Sequence, residues 1–338
     1  MIRVARESGI PVEKKADLLL EVRDLTQEFY VRSRPGVIGG VVHAVSDVSL
    51  SMRSCEALGI VGETGCGKST LARSILQMPR PKSGEVIFDG RDLMKLRSKG
   101  LREARRRMQV VFQDPFSSLD PKMTVQDIVE EPLVASVSKS ERSARVENML
   151  NVVGLTPSRF SDRHPRQLSG GQCQRVAIAR ALTVSPDLVV CDEPVSSLDV
   201  LVQAQILNLF EELRSSLQIA YLFISHDLAV VKQVSDRVAV MYLGRICEVA
   251  PTTSLFEAPF HPYTAALLEA NPSVRARKGL TARGPRIQGE PPSPVDPPSG
   301  CRFRTRCPLA QERCAEEVPP LVVLADGREL ACHFPLGQ

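Results

Sequence analysis

At 338 residues the chain exceeds the usual size of one hydrophobic core, so one large domain with an appendage, or two domains, is expected. Its 43% apolar and 24% charged residues are ordinary for a globular protein, and 43 basic against 39 acidic residues leave only +4, too balanced for a nucleic-acid or anionic-membrane surface. Aromatic residues are scarce and tryptophan is absent, which argues against a base-stacking platform for single strands.

Residues 1–16 are polar, lack a period and read as a loose tail. The opening "MIRVARESGIPVEKKADLLLEVRDL" carries no export signal, and no stretch approaches the ~18 apolar residues of a membrane helix, so a reducing, cytoplasmic setting is expected. From residue 17 to about 258, short apolar runs, "EALGIVG", "LVVCDEP" and "AYLFISH", alternate with segments of helical period. In "VQAQILNLFEELRSSL", for example, Ile206, Leu209, Phe210 and Leu213 share one face. Buried strands alternating with helices predict an α/β domain with a largely parallel sheet. The basic run "LREARRR" at 101–107 reads as a solvated helix face, and "QDPFSSLDP", with Pro115 and Pro121, as an irregular surface loop. Between about 287 and 300 the proline-rich "IQGEPPSPVDPPSG" predicts an extended linker. Beyond it stand Cys301, Cys307, Cys314 and Cys332.

Two stretches carry chemistry. The strand "EALGIVG" runs into "GETGCGKST" at 62–70, which fits G-x-x-x-x-G-K-S/T. Gly62, Gly65 and Gly67 allow a backbone in which successive N–H groups turn inward on phosphates at a helix start. Glu63, Thr64, Cys66 and Thr70 complete this loop, with Cys66 a small filler and no nucleophile. Lys68 supplies a cation for the β and γ phosphates, and the Ser69 hydroxyl is a ligand for Mg²⁺. In "LVVCDEP" a buried strand delivers Asp192 and Glu193 to the carboxyl edge of the sheet, Asp192 for Mg²⁺ and Glu193 to polarise an attacking water. Two adjacent acids there favour a hydrolase over a nucleotide switch.

The motif "LSGGQCQRVAIARAL" at 168–182 is not shared by P-loop proteins at large, and with it the chain resembles the ATP-binding subunit of an ABC transporter. The resemblance implies a P-loop, RecA-like nucleotide-binding domain over 17–258 with a helical subdomain at about 114–178, binding ATP and Mg²⁺. It places Phe29 or Tyr30 beside the adenine and Gln113 between the Mg²⁺-bound γ-phosphate and a membrane subunit, with "QDPFSSLDP" as the docking surface. Ser169, Gly170, Gly171 and Gln172 would cap ATP held by an opposite subunit, Asp199 in "SSLD" would cross the dimer interface, and His226 in "FISHD" would touch the γ-phosphate. Read physically, a serine and two glycines ahead of a helix make a second anion-binding terminus, as expected where two subunits complete each other's sites. Cys173 departs from the arginine or lysine common after this motif, without removing a phosphate ligand.

A narrower resemblance covers "FHPYTAALLEANP", "GEPPSPVDPPSGCRFRTRCPLAQERC" and "ACHF", which are similar to the tail of oligopeptide and dipeptide importer ATPases and of relatives handling nickel or other small solutes. "DEPVSSLDV", with Val195 in place of a common threonine, also looks like that group. The implied assembly is a second homologous ATPase, a heterodimer, on two permease subunits fed by an extracytoplasmic peptide-binding protein, at the cytoplasmic face of the inner membrane. An ABC ATPase of DNA repair or translation, and a sensor that binds ATP without turnover, are the competing readings. The single motif set and the small net charge oppose the first, and Asp192, Glu193 and His226 oppose the second.

In a reducing setting four clustered cysteines point to metal more than to disulfides. Their spacing, five, six and seventeen intervening residues, leaves tetrahedral zinc, an iron–sulfur cluster and buried, unligated thiols all open. The importer resemblance implies a 4Fe-4S cluster, in a 259–338 extension too poor in apolar surface to fold alone.

Overall fold

The computed structural model describes residues 18–34, 37–270 and 289–337. The expected tail at 1–16 and the first residues of the expected linker lie outside them. Two sheets organise the chain. An antiparallel sheet is formed by β1 (Leu18–Arg34), β2 (Val37–Arg53), β4 (Ser83–Phe88) and β5 (Arg91–Asp92), in the order β2-β1-β4-β5. An eight-stranded sheet takes β3 (Ala57–Val61), β6 (Met108–Val111), β7 (Leu188–Asp192), β8 (Ala220–Ile224), β9 (Arg237–Tyr242), β10 (Arg245–Pro251), β11 (Val322–Val323) and β12 (Glu329–Leu330). Its order is β11-β12-β10-β9-β3-β8-β7-β6, with β9, β3, β8, β7 and β6 parallel.

The three apolar runs picked out in the sequence are β3, β7 and β8, buried along their whole lengths. Period-2 alternation divides their side chains between two cores. Val189, Cys191, Tyr221 and Phe223 join one cluster, while Leu58, Ile60, Leu188, Val190, Leu222 and Ile224 join the other. The second face is covered by the helix after β3, α1 (Lys68–Ile75), and by the antiparallel sheet. A parallel strand buried on both faces explains why these runs read as continuously apolar.

Between β6 and β7 the chain is helical: α3 (Pro115–Ser118), α4 (Val125–Glu130), α5 (Lys139–Val152), α6 (Pro157–Phe160) and α7 (Gly170–Leu182), after α2 (Ser98–Arg107) ahead of β6. The stretch expected as an irregular loop contains α3, because the Asp114 carboxylate accepts from the Phe116 N–H at 3.0 Å and Pro115 occupies a first-turn position where no donor is needed. The basic run is only partly solvated. Arg105 donates to the Leu76 and Gln77 carbonyls, and Arg107 pairs with Asp89 and Asp187.

The rest of the sheet is connected by α8 (Val200–Leu217) and α9 (Leu228–Val234), followed by α10 (Thr252–Glu257), α11 (Pro262–Ala270) and α12 (Arg313–Glu316). The C-terminal part does not hang free: β12 pairs with β10, and Phe303 is buried against Tyr242 and Tyr263 with ring centroids 5.2 Å from each. Among the described residues no helix is long and apolar enough to cross a membrane.

Candidate nucleotide site

Parallel strands bring their carboxyl ends to one edge, and four sequence-predicted groups follow from that geometry: the loop after β3, Gln113 after β6, Asp192 as the last residue of β7 with Glu193 next to it, and His226 after β8. Gly67 shows why the loop needs glycine. It sits at φ 106° at the start of α1, and a Cβ there would lie 2.1 Å from the Ala44 carbonyl oxygen. Lys68 is buried, its Nζ donating to the Gly62 and Glu63 carbonyls at 2.8 and 3.1 Å, so the cation is held over the loop. Gly65 is left-handed as well, and Thr64, Cys66 and Thr70 lie along the same turn and helix start.

The Ser69 hydroxyl donates to Asp192 Oδ1 at 2.7 Å. Burial pushes the Asp192 carboxyl above the usual carboxylate range, against the lowering effect of the Ser69 hydrogen bond. A buried carboxylate beside a hydroxyl is a pair of hard oxygen donors, which fits Mg²⁺. Glu193 takes φ 51°, a left-handed conformation costly for a residue with a side chain, and its N–H donates to the Ile224 carbonyl at 3.0 Å. The strain aims its carboxylate at His226, whose Nδ1 stands 3.1 Å from Glu193 Oε2. Gln113 is exposed, and its carbonyl accepts from the Ser197 hydroxyl at 3.3 Å, tying the β6 end to the loop after Glu193.

Phe29 and Tyr30 lie on β1 opposite Val42 and Val41, and they are 40% and 62% exposed. Their partner strand is the one that presses Ala44 on Gly67, so the aromatic surface stands near the loop. At the other predicted anion site, Ser169 and Gln172 satisfy each other: the Gln172 N–H donates to Ser169 Oγ at 3.3 Å and the Ser169 N–H to Gln172 Oε1 at 3.0 Å. Gly170 follows Ser169 at the start of α7, and a Cβ on Gly171 would lie 2.4 Å from Val202 Cγ1, so α8 closes on this turn only because the position is glycine. Asp199 has a local duty the sequence did not reveal, capping α8 through the Val202 N–H at 3.0 Å. Next to it Val200 and Leu201 are 80% and 78% exposed. Cys173 is buried, its thiol donating to the Pro165 carbonyl and pushed up to about 11 by burial.

Cys301, Cys307, Cys314 and Cys332 line one small cavity of about 10 Å³, roughly the room of one water. Burial raises the thiols of Cys301 and Cys307 and takes Cys332 up to about 12. Tetrahedral zinc at ~2.3 Å from each sulfur needs thiolates within about 4 Å of one another. Among the described residues no group of three or more His, Cys, Asp or Glu side chains is placed to hold a metal ion. The four thiols line one cavity, but the expected metal centre is not formed as they stand.

The site also has partners that no motif announced. The Glu63 N–H donates to the Tyr263 hydroxyl at 3.0 Å and the Glu63 carboxylate pairs with Arg306 at 2.8 Å, both from the C-terminal part. Nothing in the spacing of these residues foretells the contacts, which depend on how α11 and the cysteine region fold back.

The ABC transporter family matches residues 45–196, and the C-terminal region of the oligopeptide/dipeptide transporter family matches 247–314. A probable peptide ABC transporter ATP-binding protein of Sinorhizobium fredii is 50% identical over 94% of this chain and 90% of its own length. The oligopeptide transport ATP-binding protein AppF of Bacillus subtilis is 46% identical over 94% and 98%. Among solved structures, a dimeric ATP-binding cassette in a post-hydrolysis state with ADP and Pi is 29% identical, with a TM-score of 0.62 over 69% of this chain and 99% of that one. The cbiO1 protein of Clostridium perfringens, part of an ABC transporter complex, gives 29% and 0.62 over 72% and 92%. A phosphate loop, a strand-end acid pair and a signature helix in one α/β frame, with these likenesses over nearly the whole length, establish that the chain belongs to the ATP-binding ATPase subunits of ABC transporters, in the group that carries the oligopeptide/dipeptide transporter C-terminal region.

Proposed function

We propose that this chain hydrolyses ATP to power the import of peptides through a membrane complex. The observation that carries the reading is the gathering of Lys68, the Ser69–Asp192 pair and the Glu193–His226 pair at one sheet edge. Lys68 and the loop N–H groups hold the triphosphate; Ser69 and Asp192, with Gln113 as a further ligand, would hold Mg²⁺, which when bound would supply positive charge against the phosphates. Glu193 polarises the attacking water, with His226 orienting its carboxylate and reaching the γ-phosphate. Phe29 or Tyr30 supplies a face for the adenine. Peptide as the solute rests on the relatives' names and on the C-terminal region.

The exposed Val200 and Leu201 beside the α7 terminus suit an apolar contact with a second, homologous ATPase, whose ATP would meet Ser169, Gly170, Gly171 and Gln172, with Asp199 at the seam. The exposed Phe116 on α3 suits a permease contact, and in this reading the chain works at the cytoplasmic membrane face, with an extracytoplasmic binding protein delivering the solute. The complex with its permeases and binding protein, reconstituted in vesicles, should take up labelled di- or oligopeptides only with ATP. Uptake of nickel alone, or of no peptide in a broad panel, contradicts the peptide reading.

For the cysteines we favour a 4Fe-4S cluster, in which four irons each take one thiolate and the ligands stand further apart than around one ion. Cys301, Cys307, Cys314 and Cys332 would hold it once their thiols lose their protons, and it would staple a segment with little core of its own. Anaerobic purification should give about four irons and four sulfides per chain. Stoichiometric zinc without iron, or no metal with all four thiols open to alkylation in folded protein, contradicts it.

A further inference from the structure

Glu63, the second residue of the phosphate loop, is gripped from three sides. Its N–H donates to the Tyr263 hydroxyl at 3.0 Å, its carbonyl accepts from Lys68 Nζ at 3.1 Å, and its carboxylate meets Arg306 Nη1 at 2.8 Å. Tyr263 belongs to α11, and Arg306 directly precedes Cys307, so two of the three grips come from the end of the chain.

The Arg306 side chain is only 7% exposed and has little freedom. Its Nη1 also donates to the Tyr242 hydroxyl at 3.2 Å, and its guanidinium carbon stands 5.7 Å from the centre of the Tyr242 ring. Behind it Tyr242, Tyr263 and Phe303 pack with ring centroids 4.7 to 5.2 Å apart. The region that holds the cysteines therefore presents one fixed cation to the loop. Without that cation Glu63 would set an unpaired carboxylate, 23% exposed, beside a loop that must receive a triphosphate. The same carboxylate fixes the residue whose carbonyl holds Lys68.

We propose that Arg306 is a positioning residue for ATP: through Glu63 it keeps the phosphate loop and its lysine in receiving form, and it cancels a carboxylate that would otherwise oppose the triphosphate. The C-terminal region is thus an outer wall of the nucleotide site. Arg306 does not touch the reacting atoms, so its loss weakens ATP binding and leaves the chemical step nearly intact.

The test compares Arg306→Gln, which keeps most of the stem and loses the charge, with Arg306→Lys and with the double variant Arg306→Gln/Glu63→Gln. Each is read by ATP titration of the full chain and by the KM and kcat of the assembled complex. Loss of one charged hydrogen-bond partner should raise the KM for ATP about tenfold in Arg306→Gln with kcat within about twofold, and about two- to fourfold in Arg306→Lys. The double variant removes the unpaired carboxylate but also the grip on the loop, so it should recover only part of the loss, with a KM between those of Arg306→Gln and the parent. A folded Arg306→Gln with unchanged KM, or a double variant as weak as Arg306→Gln, overturns the proposal. If Arg306→Gln does not fold, Arg306→Lys decides by the same titration, and an unchanged KM there overturns it.

Discussion

Asp192 carries the tension of the site in one side chain. Burial holds its carboxyl above the ordinary range, and the Ser69 hydroxyl at 2.7 Å, with the charges of Arg73 and Lys68, relieves it only in part. An acid whose folded pKa is raised contributes most to stability below its unfolded pKa, and that contribution is lost as pH rises through the folded value. Asp192→Asn should therefore raise the melting temperature of the nucleotide-free chain near neutral pH, and the gain should shrink as pH falls towards about 4. Mg²⁺-dependent hydrolysis should be lost in the same variant. Thermal melts at two pH values check this, and a gain that grows on acidification contradicts it. Asp192 and the loop glycines were legible in the sequence because their roles follow from local conformation: a strand end and a turn that needs φ > 0. Tyr263 and Arg306 were not, since a tyrosine in a helix and an arginine among cysteines acquire meaning only when distant segments meet.

At the scale of elements, α7 and α8 cross with no room for a methyl group. Gly171 would place one 2.4 Å from Val202 Cγ1, and Gly171 is helical, so the cost is one of packing and not of backbone strain. Gly171→Ala should destabilise the chain by about 1 to 3 kcal/mol as the α7 start is pushed from α8. Denaturant melts measure this, and Val202→Ala should recover part of the loss by removing the opposing methyls. No effect of Gly171→Ala would mean that the two helices shift freely. The buried strands were readable because burial on both faces writes an unbroken apolar run, and α8 because four apolar residues share a face. Short elements were not: α3 has four residues and owes its existence to the Asp114 cap, and β12 has two and exists because the β10 edge is open to pair with it. The four cysteines were visible as a group, but their spacing could not give the separation of their sulfurs, which decides what they hold.

At the scale of the molecule, parallel strands deliver a lysine loop, an acid pair and a histidine to one edge, while α7 opens on the serine–glycine turn proposed as a second anion site elsewhere in the same chain. A dimer of such chains can use both ends. In the proposed dimer ATP would act as the bond between subunits and its hydrolysis would open them, so that a chemical step at Glu193 would become movement of the attached permeases. The central claim is that Glu193 performs the hydrolytic step. It is tested most directly by Glu193→Gln in the assembled complex with the partner ATPase disabled, following ATP affinity and turnover together. The amide keeps the shape but not the carboxylate, so turnover should fall about 10²- to 10⁴-fold while ATP affinity stays within about threefold. Turnover at the parental rate in that complex would contradict the account.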